Sequence, residues 1–155
     1  MAKIVKESAA DLVYMAESDI MSAKVLFTET FYPPDLKNNI ICFHATQAVE
    51  KLLKGFIINN GKEVGMIHNL NDLNDATAKI DNSFSSIREH CALLNNLIPN
   101  LKYRSRKSIT NQNMDEIIKS LESICNFPPI KAMRDSFAKE HNYEIVGEII
   151  TSRKK

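Results

Sequence analysis

The sequence has few of the residues that build disulfide frameworks, metal centres or glycine-rich phosphate loops. Its 155 residues include three cysteines, four glycines and no tryptophan. Cys42, Cys91 and Cys125 are widely spaced and odd in number, and they form no Cys-x-x-Cys or Cys/His group, which argues against a disulfide scaffold and a zinc site. The scattered glycines leave no phosphate-binding loop. We therefore expect reduced, buried cysteines, with no metal site and no cofactor.

An excess of charge of one sign is also missing. Lys and Arg number 20 against 19 Asp and Glu, so the net charge is +1 at pH 7. Any contact with nucleic acid must then come from a local basic patch.

The opening residues MAKIVKESAADL lack the apolar run of a signal peptide. No uncharged stretch approaches the ~20 residues that cross a bilayer, so we expect a cytoplasmic protein without membrane contact.

Length and composition fit one domain with a substantial core. Hydrophobic residues make up 44% of the chain and charged residues 25%, which is ordinary for a globular protein. We expect a single domain over 1–155, with its core at about 8–141 and a frayed tail at 151–155.

Apolar residues recur at helical spacing in segments that prolines, glycines and polar stretches separate. The first predicted helix covers 8–31, with Ser8 as its cap and Pro33-Pro34 as its stop, and the second covers 36–60. A short helix through Leu70, Leu73 and Ile80 follows, and then a helix capped by Ser83 or Ser85 whose inward residues are Ile87, Cys91, Leu94 and Ile98. The last two elements are a helix from Met114 to Cys125 and a segment that begins at Pro129. Short connections favour an all-α, antiparallel up-and-down bundle of four to five main helices. The segment EIVGEII fits a helix or a strand, and with no strand to pair with it we predict a helical or loosely packed segment.

The second helix, FHATQAVEKLLKGFIINNG, has an apolar arc and a polar stripe. The stripe consists of His44, Gln47, Lys51 and Lys54. One interpretation is a solvated face, because Glu50 and Lys54 are spaced for an ordinary i, i+4 ion pair. The other is a surface that binds an anion or a partner. The first is favoured from sequence.

Several motifs of this chain resemble those of HEPN domains, in the expected order over roughly 8–126. They are the Gln47-Ala48-Val49-Glu50-Lys51 and Leu53-Lys54 steps of the second helix, the preceding Phe31-Tyr32-Pro33 turn, the following His68-Asn69-Leu70, and Lys102-Tyr103-Arg104, which lacks the proline many members have there. The resemblance implies a small helical bundle, commonly a homodimer, that is associated with nucleotides or RNA. Many members of the family pair with a minimal nucleotidyltransferase, as in toxin–antitoxin systems, and some are metal-independent ribonucleases.

Those ribonucleases carry an arginine, four to six residues and then a histidine, a pattern that Arg134 and His141 match with six intervening residues. A neutral imidazole can take the proton of a ribose 2′-hydroxyl, and a guanidinium can bind the phosphate oxygens. On one helix the two residues would share nearly one face at a separation of about 10 Å. The first alternative function is therefore a metal-independent, toxin-like endoribonuclease that uses Arg134 and His141.

A basic segment could contact RNA without cleaving it. Lys102, Arg104, Arg106 and Lys107 surround Tyr103, so the segment could hold phosphates and stack a base. A second alternative is a non-catalytic helical module for protein interactions.

Overall fold

Six α-helices and one 3-10 helix account for most of the residues that the computed structural model describes, which are 8–29, 34–97 and 111–148. The elements are α1 Ala9–Thr28, α2 Pro34–Asn59, α3 Leu70–Ile80, the 3-10 helix Asn82–Ile87, α4 Arg88–Asn95, α5 Asn111–Cys125 and α6 Pro128–His141. No strand occurs within these ranges, and the all-α prediction is confirmed. No helix in the described part of the chain is long and apolar enough to span a membrane.

Local signals in the sequence set the start of the first two helices. The hydroxyl of Ser8 accepts a hydrogen bond from the backbone N–H of Asp11 at 3.1 Å, which confirms Ser8 as the cap of α1. Helix α1 ends at Thr28, three residues earlier than predicted. Pro34 is the first residue of α2, a position where the missing proline N–H would have no helical partner.

Helices α1 and α2 pack as an antiparallel pair with very close backbones. Asp19 contacts His44 and Lys51, whereas Gly55, later in α2, lies against Val13, earlier in α1. A Cβ on Gly55 would lie only 2.9 Å from the Cγ2 of Val13 and 3.6 Å from the carbonyl oxygen of Ala9. Glycine at this position therefore allows the two helices to touch.

One apolar core joins side chains from all six helices and the 3-10 helix. The predicted apolar arc of α2 is buried throughout, namely Ile41, Cys42, Ala45, Ala48, Val49, Leu52, Leu53 and Phe56. At one end of the core the ring of Phe84 lies 4.5 Å from that of Phe56 and 4.9 Å from that of Phe127, measured between centroids. The 3-10 helix thereby joins the end of α2 to the α5–α6 connection.

One local prediction is wrong, and for a second the structure excludes one of its two alternatives. The segment after α3 begins with a 3-10 helix whose cap is Asp81, which accepts hydrogen bonds from the backbone and hydroxyl of Ser83, so neither Ser83 nor Ser85 caps a continuous helix. Residues 143–148 have no regular secondary structure, so this part of EIVGEII is not helical. Hydrogen bonds between its backbone and buried side chains hold it instead, as described below.

All three cysteines are buried and free, as expected. Burial raises the pKa of each thiol, Cys42, Cys91 and Cys125, to about 12. At neutral pH the thiols are therefore protonated, weakly nucleophilic parts of the core.

Candidate functional site

Arg134 lies in the interior of the bundle, where it forms a two-pronged ion pair with Glu17 of α1. The Nε of Arg134 donates to one carboxylate oxygen of Glu17 at 2.7 Å, and Nη2 donates to the other at 2.7 Å. Arg134 is only 1% exposed, and the Glu17 side chain 6%. The guanidinium that the Arg–His pattern singled out thus faces a buried carboxylate rather than solvent.

Backbone groups complete the surroundings of this pair. Nη1 of Arg134 donates to the carbonyl of Cys125 at 3.0 Å, and Nη2 donates to the carbonyl of Val146 at 3.2 Å. The N–H of Val146 donates to Glu17 at 2.9 Å. We call this group of Glu17, Arg134 and Val146 the Glu17–Arg134 clamp. It joins α1, α6, the end of α5 and the segment 143–148.

The electrostatics of the clamp keep Arg134 charged. Burial alone would lower the pKa of Arg134, but the hydrogen bonds and negative charge of Glu17 outweigh it, and the pKa lies above its ordinary value. Two full charges in a nearly solvent-free place require each other, because neither has water to stabilise it.

His141, unlike Arg134, lies at the surface. It ends α6, its side chain is 49% exposed, and its Nε2 lies 3.9 Å from a carboxylate oxygen of Glu140. It lines a surface hollow of about 310 Å³ together with Asp11, Tyr14 and Tyr143. The structure therefore leaves the imidazole accessible but does not bring the Arg134 guanidinium to it.

The polar stripe of α2 is mostly covered, which corrects the expectation of a solvated face. The carboxylate of Asp19, itself buried, accepts from Nζ of Lys51 and lies 2.9 Å from Nδ1 of His44. The side chains of His44 and Lys51 are 25% and 17% exposed. Gln47, which lies between these two residues in the sequence, is half-buried. Helix α1 thus covers this part of the stripe and neutralises part of its charge.

A second group of charges lies nearer the end of α2. Glu50 pairs with Lys54 at 3.7 Å and with Nδ1 of His68 at 3.2 Å, and Lys54 lies 3.4 Å from the same histidine nitrogen. His68 comes from the α2–α3 loop, and the cap of α3 is the following residue, Asn69. The loop therefore folds back toward the stripe.

Beside these charges lies a cavity of about 560 Å³, which we call the lysine groove. Its apolar lining comes from α1, α2 and the loop, and consists of Leu12, Met15, Ile58, Val64 and Met66. Its ionic lining consists of Lys51, Lys54, Lys62, Glu50 and Glu63. The sequence pattern singled out Lys51 and Lys54 but missed Lys62 and the apolar lining, because these residues come from three separate segments. The sequence offered one signal for the loop side of this groove, the pair Gly61 and Gly65. Both have positive φ angles, which turn the loop.

The basic segment with Lys102, Tyr103, Arg104, Arg106 and Lys107 lies outside the described residues, and its role stays a prediction. Within the ranges that the structure describes, no cluster of His, Cys, Asp or Glu could hold a metal ion.

Comparison with family models matches residues 9–131 to the HEPN domain. No curated protein and no solved structure matches the chain. The matched region contains the α2 stripe and the lysine groove, whereas Arg134 and His141 follow its last residue.

Proposed function

Because this chain belongs to the HEPN domain family, we propose that it is a homodimeric helical domain that binds nucleotide or RNA without cleaving it. The proposal extends to a minimal nucleotidyltransferase as partner, as the resemblance implies. Family membership supports the association with nucleotides or RNA, and the Glu17–Arg134 clamp is the observation that favours binding over cleavage.

Cleavage by the Arg–His pattern would need a guanidinium that can reach a phosphate. Arg134 already gives four hydrogen bonds inside the protein, two of them to Glu17. Moving it to the surface would leave the Glu17 carboxylate buried and unpaired, a change that destabilises proteins by about 3–5 kcal/mol. An accessible His141 alone supplies a base but no cation to stabilise the added charge on the phosphate.

The proposed RNA contact is the basic segment around Tyr103. Four cations near one aromatic ring favour phosphate binding with base stacking, and each phosphate contact makes the affinity more dependent on salt. The role of this segment rests on its composition and on the family resemblance.

The proposed dimer surface is the side of α1 turned away from the core. Tyr14, Met21 and Val25 are 56%, 48% and 49% exposed, and their spacing of seven and four residues places them in one row. A row of large apolar side chains on a solvent-facing helix is typical of a surface that a second subunit covers.

Incubation of mixed RNA with the purified protein in EDTA tests the absence of cleavage. We expect intact RNA with the wild type and with His141→Ala, which changes an exposed residue and should leave the fold unchanged. Cleavage by the wild type that His141→Ala abolishes would overturn the proposal and establish the metal-independent ribonuclease.

Titration of a labelled single-stranded RNA over a range of salt tests binding. We expect the double variant Arg104→Ala/Arg106→Ala to bind more weakly and to lower the slope of log K against log salt by about two. The matched control is Lys79→Ala/Lys119→Ala, which removes two exposed cations from α3 and α5. No binding by the folded wild type would favour the non-catalytic protein-interaction module.

A further inference from the structure

The lysine groove has the size and lining of a ligand site. Its volume of about 560 Å³ lies within the ~300–1,000 Å³ of typical small-molecule sites. Helices α1 and α2 form two of its walls, and the α2–α3 loop forms the third side. The two helices are in direct contact at Gly55, which holds these walls together.

Two methionines of the apolar lining are exposed to solvent. Met66 is 87% exposed at the loop, and Met15 is 38% exposed on α1. Methionine side chains are flexible and polarizable, and they adapt to apolar ligands of different shapes. Covering them with an apolar molecule would remove hydrocarbon from water, which is favourable.

The charges at the rim fit one negative group. Three lysines and two glutamates line the groove, so its formal net charge is +1. Lys51 is held by Asp19, whereas Lys54 lies 3.7 Å from Glu50 and 3.4 Å from Nδ1 of His68, both longer than a close ion pair. Lys62 forms no ion pair within the described ranges. Two cations are thus available to a ligand, while Glu50 and Glu63 oppose the repeated charges of a polyphosphate or a nucleic-acid backbone.

We propose that the lysine groove binds an amphipathic anion, meaning a molecule with an apolar body and a single anionic group, either a phosphate ester, a sulfonate or a carboxylate. The body lies on Met15, Ile58 and Met66, and the anionic group contacts Lys54 and Lys62. This site goes beyond the proposed RNA binding, and neither depends on the other.

Fluorescence titration with 8-anilinonaphthalene-1-sulfonate tests this site, because the dye is an amphipathic monoanion that brightens in apolar surroundings. We expect saturable binding of one dye per chain. Lys54→Ala and Lys62→Ala should each weaken it about tenfold, since each removes a charged contact worth about 1.4 kcal/mol. Met66→Glu, a change at a very exposed residue, should weaken it at least as much.

The matched control is Lys119→Ala, which removes an exposed cation that does not line the groove and should leave dye binding unchanged. N-phenyl-1-naphthylamine has the same apolar body without the sulfonate, and its binding should be insensitive to the lysine variants. Circular dichroism of every variant must match the wild type, because partly unfolded proteins also bind the sulfonated dye.

Competition distinguishes the sources of the anion. Displacement of the dye by dodecyl phosphate at lower concentration than by dodecanoate assigns a phosphate ester, and the reverse order assigns a carboxylate. The proposal is overturned by an absence of saturable binding, by binding that the two lysine variants leave unchanged, or by failure of both competitors to displace the dye.

Discussion

At the scale of single residues, the buried ion pair has the greatest consequence for stability. Glu17 holds Arg134 and also accepts the backbone N–H of Val146. We expect Glu17→Ala to lower the free energy of unfolding by about 3–5 kcal/mol, because it leaves a guanidinium buried without its counter-charge. Urea denaturation measures the change.

The control for this prediction is Glu116→Ala on the exposed side of α5, which should change stability by no more than about 0.5 kcal/mol. The double variant Glu17→Leu/Arg134→Met should recover most of the loss, since an apolar pair can replace a buried ion pair. A loss below about 1 kcal/mol for Glu17→Ala would show that water reaches the clamp in solution.

The clamp also marks where sequence reasoning ends at this scale. The types and spacing of Arg134 and His141 could be read from one short stretch, but the partner of Arg134 lies 117 positions away in sequence. Periodicity describes which side of a helix a residue occupies and says nothing about which distant charge it meets. Ser8, by contrast, was predictable because its partner, the N–H of Asp11, is three residues away.

At the scale of helices, the contact at Gly55 decides how closely α1 and α2 approach. We expect Gly55→Leu to destabilise the protein by about 1–3 kcal/mol or more, because the new side chain would meet Val13 and the backbone of Ala9 in a filled core. Thermal unfolding followed by circular dichroism measures the effect.

Gly147→Leu serves as the comparison, since a Cβ there meets only the end of the Lys24 side chain, at 3.8 Å. Its effect should be within about 0.5 kcal/mol. Similar losses of stability in the two variants would mean that replacing a glycine is itself destabilising, and that the contact between α1 and α2 does not account for the result at Gly55.

Helix positions were largely predictable because periodicity and helix-stopping residues are local. The apolar arc of α2 and the segment Leu70–Ile80 both follow from the sequence. The 3-10 helix was missed because its serines fit an α-helix cap equally well, and the choice depends on Phe84 packing between two other rings. The covering of the α2 stripe was missed because α1 and the loop supply it.

At the scale of the whole molecule, the exposed row on α1 predicts assembly. We expect the wild type to be a dimer at tens of micromolar by light scattering after size-exclusion chromatography. Met21→Lys/Val25→Lys should convert it to a monomer, because two charges would be buried at the interface. A wild-type monomer, or a dimer that persists in the variant, would contradict this surface.

The control is Ser86→Lys/Ser136→Lys, which adds the same charge at other exposed positions and should remain dimeric.

Fold class and bundle type could be predicted for the molecule as a whole, since short connections restrict how helices pack. The lysine groove could not, because its volume exists only between segments that the chain brings together from Leu12 to Met66.

The Glu17–Arg134 clamp has a consequence for how the protein is made. During synthesis α1 and α2 leave the ribosome before α6 and can pair, yet the Glu17 carboxylate must wait for Arg134, 117 residues later. At ~5–20 residues per second this delay is on the order of ten seconds. For that time the nascent chain carries an unpaired carboxylate on α1, and α6 then completes the buried ion pair that α1 begins.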